Sequence, residues 1–146
     1  MKFMKRTANL LLWLLALVPL SAAYPADLCV DGLCVVRAQV SATHGLMTRY
    51  QPMYLTVENR TGRRLTVSDF SSEAAESVQL LSGDEWEPKV PRKLVVGPNE
   101  YRTLGASSEW RLMLVGLKQP LSRGQTIFLK MKMSSGRTLA VPMKVI

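Results

Sequence analysis

From Leu33 to the C-terminus, short apolar runs alternate with polar, Gly-containing turns, and within the runs apolar and polar residues change places at every second position. That spacing predicts strands at Cys34 to Ala42, Met53 to Asn59, Leu65 to Phe70, Ser77 to Leu81, Glu85 to Lys89, Lys93 to Val96, Glu100 to Leu104, Trp110 to Leu117, Thr126 to Met133 and Thr138 to Val145. A helical period is absent apart from a single turn that Ser71 to Ser77 could form. The turns include Asn59-Arg60-Thr61-Gly62, Ser82-Gly83-Asp84, Gly97-Pro98-Asn99, Ser122-Arg123-Gly124 and Ser134-Ser135-Gly136, where a positive or fixed φ is needed. Because side chains alternate across a strand, Ile127, Leu129, Met131 and Met133 share one face while Lys130 and Lys132 take the other. Leu139, Val141, Met143 and Val145 repeat the pattern, as do Met53, Leu55 and Val57, so most of the methionines read as packing residues. This many short strands in one small domain predict an all-β sandwich or barrel.

The first 23 residues follow a different rule. Lys2, Lys5 and Arg6 precede an apolar run from Leu10 to Leu20, and Ser21-Ala22-Ala23 supplies small residues for a signal peptidase. The run is about half of the roughly 20 residues a membrane span needs, and Pro19 interrupts its end, so residues 1–23 read as a signal peptide and residues 24–146 as the domain. The signal is short, basic and Leu-rich, which points to the bacterial periplasm. A lipidated Cys would directly follow the apolar run, whereas Cys29 lies further on behind Asp27-Leu28. The expectation is therefore a domain with no membrane anchor after cleavage.

An oxidising compartment decides the reading of Cys29-Val30-Asp31-Gly32-Leu33-Cys34. Asp-Gly is a preferred two-residue hairpin turn, and the two Cys flank it symmetrically, which predicts a Cys29–Cys34 disulfide stapling the hairpin. The alternative is a thiolate pair for a soft metal or redox exchange. It lacks the Cys-x-x-Cys spacing and requires a reducing partner.

Charge and composition then remove function classes. The chain has 146 residues, 19 Lys+Arg, 11 Asp+Glu and one His. Without the leader and its three cations the net charge is 16 − 11 = +5. The basic residues are dispersed and not interleaved with stacking aromatics, so nucleic acid is not an expected partner, and the surface suits solvation or an acidic protein. His44 stands alone in Thr43-His44-Gly45-Leu46-Met47, with no nucleophile and orienting carboxylate in evident register, so no catalytic residue is assigned and an enzyme is not expected.

Two segments carry more information: Ser71-Ser72-Glu73-Ala74-Ala75-Glu76-Ser77-Val78-Gln79-Leu80-Leu81, and Trp110-Arg111-Leu112-Met113-Leu114-Val115-Gly116-Leu117-Lys118-Gln119-Pro120-Leu121. Together with Tyr54 to Asn59 and Gly124 to Leu129, they resemble the periplasmic copper chaperones called PCu(A)C, over roughly Cys34 to Val145. The resemblance implies a cupredoxin-like (immunoglobulin-like) β-sandwich, and a Cu(I) site that feeds copper to a periplasmic acceptor or assembly partner. Cu(I) prefers thioether sulfur and imidazole, and the family pairs two His with two Met in the pattern H-x10-M-x21-H-x-M.

The resemblance also implies that most of this ligand set is missing. Leu81 stands at the first His position, Lys89 falls at the first Met when counted back from the last strand, and Arg111 stands at the second His, leaving Met113 as the retained ligand type. Leu has no lone pair to donate and Arg is a permanent cation. Two readings remain. One is a copper chaperone with a relocated metal site using some of His44, Met47, Met53 and Met113. The other is a metal-free binding or assembly module in which Arg111 pairs with Glu85, Glu87 or Glu109.

Overall fold

Within residues 28–43, 49–84 and 86–146, which the computed structural model describes, the alternating stretches form ten strands. They are β1 (Leu28–Val30), β2 (Leu33–Val40), β3 (Tyr50–Asn59), β4 (Leu65–Ser71), β5 (Ala75–Ser82), β6 (Leu94–Val96), β7 (Tyr101–Leu104), β8 (Trp110–Leu117), β9 (Thr126–Met133) and β10 (Thr138–Val145). The leader lies outside the described residues, as do His44, Met47 and Glu85. No described helix is long and apolar enough to cross a membrane.

The strands join one sheet in the order β5-β8-β7-β3-β2-β10-β9-β4-β6, with β1 added to β2 and a further β8–β3 ladder. Neighbouring pairs are antiparallel except β10–β2 and β7–β8. β4 also touches β5 across the turn between them, so the sheet curls into a nearly closed, cupredoxin-like β-barrel or sandwich. The all-β reading stands, and its faces are those the alternation predicts. Leu129, Met131, Val141, Met143 and Val145 are fully buried, as are Met53, Leu55 and Val57 of β3. Burial of these side chains is the main favourable term holding the sheet closed.

Of the two buried polar side chains among the described residues, Gln51 and Asn59, the second is built into this core. Asn59, at the inward-facing end of β3, is completely buried. Its Nδ2 donates to the carbonyls of Arg63 (2.7 Å), Val96 (3.0 Å) and Gly97 (2.9 Å), and its Oδ1 accepts from the Thr61 N–H (2.9 Å) and hydroxyl (2.6 Å). A buried amide is tolerated because its donors and acceptor are all used.

The hairpin is as expected. Asp31 (φ 54°) and Gly32 (φ 89°) both take positive φ, as a type I′ turn requires, and set Cys29 opposite Cys34 in a disulfide. Neither thiol is free, so the thiolate-pair reading falls.

Several element boundaries differ from expectation, and the departures at β3, at Ser71 to Ser77 and at Glu85 to Lys89 are the largest. β3 begins at Tyr50 because its first residues pair with β8, from Tyr50↔Val115 to Met53↔Leu112, and Pro52 sits just beyond the last β2–β3 pair, Val40↔Met53. Ser71 to Ser77 holds no helical turn. β4 ends at Ser71, β5 starts at Ala75, and the Ser72 hydroxyl bridges the gap by donating to the Phe128 carbonyl (2.7 Å). The expected strand from Glu85 to Lys89 is, in its described part, a loop closed by the Ser82↔Lys89 bridge. Asp84 accepts the N–H groups of Trp86 and Glu87 at 2.8 Å each, which curls the backbone where a strand would extend it.

Candidate functional site

β5 and β8 run antiparallel, and their register sets Leu81 directly opposite Arg111 and Gln79 opposite Met113. On its other edge β8 meets β3, so Pro52 lies opposite Met113. Along β8, Leu112 and Leu114 are fully buried while Arg111 and Met113 are half-buried on the outer face. These constraints converge on a cleft of about 300 Å³ lined by Pro52, Leu81, Pro88, Ala106, Arg111 and Met113. The three residues singled out along the sequence, Leu81, Arg111 and Met113, thus share one cavity.

Arg111 also borders a wider, more open cleft of about 570 Å³ formed with Asp84, Trp86, Ser108 and Glu109. Its guanidinium Nη1 donates to the Gly83 carbonyl (2.9 Å) and the Ser108 carbonyl (3.4 Å), tying the turn after β5 to the loop before β8. Among the described residues no carboxylate comes within ion-pair range of Arg111, so the expected pairing with Glu87 or Glu109 is not formed; Glu85 lies outside the described residues. The physical reason is that both carbonyls are fixed by backbone while Glu87 and Glu109 are exposed. The Asp84 carboxyl is held below the ordinary aspartate range by the N–H groups of Glu87 and Trp86, and further by the Arg111 charge.

The donor set does not fit Cu(I). Met113 brings one thioether, Leu81 brings no donor, and Arg111 brings a positive charge to the same cavity. Lys89 is exposed and meets Ser82 through backbone hydrogen bonds. Among the described residues no group of three or more His, Cys, Asp or Glu could hold a metal. Met53 is fully buried in the core, on the opposite face of β3 from Pro52, so its sulfur does not reach this cleft. His44 and Met47 lie outside the described residues. Sequence reasoning did not find Pro52, Pro88 and Ala106 in the cavity, because their place depends on pairings between distant strands. Trp86, 92% exposed, was equally silent in the sequence.

Residues 34–145 match the family described as "Putative lipoprotein LpqE-like". The chain belongs to the LpqE-like family. Its fold is that of solved PCuAC domains. The apo PCuAC domain from PmoF1 superposes with a TM-score of 0.70 at 14% identity, covering 83% of this chain and 98% of that one. The copper-bound PCuAC domain from PmoF2 gives 0.69 at 15% identity, covering 83% and 97%. The Cu(I) form of DR1885 from Deinococcus radiodurans gives 0.64 at 26% identity, covering 86% and 83%. No curated protein matches the chain. The likeness to these domains supports the PCu(A)C resemblance at the level of the fold.

One expectation is overturned. The sequence reading excluded a membrane anchor from the distance between Cys29 and the apolar run, and the match to a lipoprotein family contradicts that exclusion. The position of Cys29 bears on one local attachment motif, whereas the family match rests on residues 34–145. The periplasmic address accords with the family; a freely released protein does not follow from it.

Proposed function

We propose that this LpqE-like chain is a binding domain of copper-chaperone type, held at the membrane on its periplasmic side, that engages a protein acceptor or assembly partner through the Arg111 cleft rather than carrying Cu(I) there. The observation that carries this reading is the position of Arg111. It faces Leu81 across β5–β8, lines one cavity with Met113, and anchors two loops through the Gly83 and Ser108 carbonyls. A permanent cation in that cavity opposes a metal ion and favours a carboxylate or carbonyl of a partner.

A second reading has one observation in its favour. Met113 keeps a thioether in the cleft, so Cu(I) handling would proceed from a relocated site made by Met113 with His44 and Met47. An anaerobic Cu(I) competition titration of residues 24–146, beside a His44→Ala/Met47→Ala variant, separates the two. Absence of stoichiometric binding in both supports the metal-free reading, and binding that the variant loses supports relocated copper. Partner capture and stability both unaffected by Arg111→Met would remove the role given to Arg111. The anchor is tested by the mass and membrane fractionation of the mature chain, since a lipid on Cys29 and the Cys29–Cys34 disulfide compete for the same sulfur.

A further inference from the structure

Among the described residues no element covers the outward face of β9 and β10. Cross-strand pairs set Lys132 beside Thr138, Lys130 beside Ala140, Phe128 beside Pro142 and Thr126 beside Lys144. All of these residues are exposed, because the intervening positions Ile127, Leu129, Met131, Val141 and Met143 fill the core. The outward set of the two strands therefore holds three lysines, no acidic residue and, between them, a large aromatic ring that is 56% exposed. β10 continues into β2 through Lys144↔Gln39, and the adjoining bulge exposes Val36 (53%) and Arg37. On the other flank Asp69 lies opposite Lys132, and Glu73 joins Lys130, Phe128 and Ala140 around a mainly apolar groove of about 460 Å³. The cations exceed these acids.

We propose that this face is a membrane-docking surface, with Lys130, Lys132, Lys144 and Arg37 meeting anionic lipid headgroups and Phe128 entering the interfacial layer. Two observations select a bilayer over another occupant. The charge complements an anionic surface, and an apolar wedge framed by long cations is the arrangement that binds such surfaces through combined burial and attraction. In addition, the described fold begins at Leu28, paired with Val35 beside the exposed Val36 and Arg37 bulge, so its N-terminal end borders this same face. The inference does not depend on a lipid anchor, since the surface acts on its own residues, and it leaves the Arg111 cleft for a partner.

The test uses residues 24–146, which contain every strand of the fold and no leader. Co-sedimentation is measured with phosphatidylglycerol/phosphatidylcholine vesicles and with phosphatidylcholine vesicles alone. Binding to the anionic vesicles is expected to weaken with salt and to fall about fivefold per cation removed, hence on the order of a hundredfold for Lys130→Gln/Lys132→Gln/Lys144→Gln. Phe128→Ser is expected to reduce it as well, and unchanged thermal unfolding of both variants shows that folding is intact. Equal binding to both vesicle types, no binding to either, or binding insensitive to these substitutions would overturn the proposal. Self-association abolished by Phe128→Ser, without vesicle binding, would instead assign the face to a second copy of the chain.

Discussion

At the scale of single residues, the cleft is defined by what Leu81 and Arg111 lack. Each occupies a position where the resemblance implies an imidazole, and the register brings the two face to face beside Met113. Leu81→His/Arg111→His is therefore expected to place two imidazoles and one thioether around one cavity and to gain Cu(I) affinity in a competition titration. A double variant with no gain would mean that the ligand positions have been carried over wrongly. The missing first Met limits the gain, because Lys89 faces solvent. Met113 was legible as a ligand-type residue from its motif, whereas the commitment of Arg111 to two carbonyls was not, since those carbonyls come from separate loops.

At the scale of elements, the hairpin and the loop after β5 behave as separate small units. The disulfide closes a short hairpin, so the loop-entropy model gives it about 2 kcal/mol. Cys29→Ala/Cys34→Ala is expected to lower thermal or denaturant stability by about that amount while leaving the strands in place, as circular dichroism and an unfolding titration would record. The loop from Ser82 to Lys89 is curled by the Asp84 carboxylate, whose pKa is depressed chiefly by the N–H groups of Glu87 and Trp86. A depressed carboxylate supports the folded loop fully above the ordinary aspartate range, and that support is lost as pH falls through the lower folded value. The Trp86 and Glu87 amide resonances are thus expected to move together in an acid titration, below the usual aspartate midpoint, and to stay still in Asp84→Ala. The same loop explains why a strand read at Glu85 to Lys89 did not form. Local side-chain capture of backbone N–H groups outcompeted extension in its described part.

At the scale of the whole molecule, residues from distant strands fill one core, so local damage there is a global matter. Met131 on β9 is fully buried, and Met131→Ala is expected to cost about 2–5 kcal/mol, read as a lower midpoint in a single cooperative denaturant transition. A small loss, or a transition that splits in two, would show that the sheet does not act as one unit. The all-β class, most strands, the inward and outward faces of β9 and β10, and the Cys29 hairpin were determined by the sequence itself. Each depends on period-2 alternation or on a turn of two residues, which act between chain neighbours. The cavity around Arg111, the removal of Met53 from it, the early start of β3 against β8, and the placing of Lys144 and Arg37 beside the Phe128, Lys130 and Lys132 face of β9 were decided by tertiary structure alone. They depend on which strands pair and in what register, and that choice is made by the closure of a shared core rather than by any local pattern.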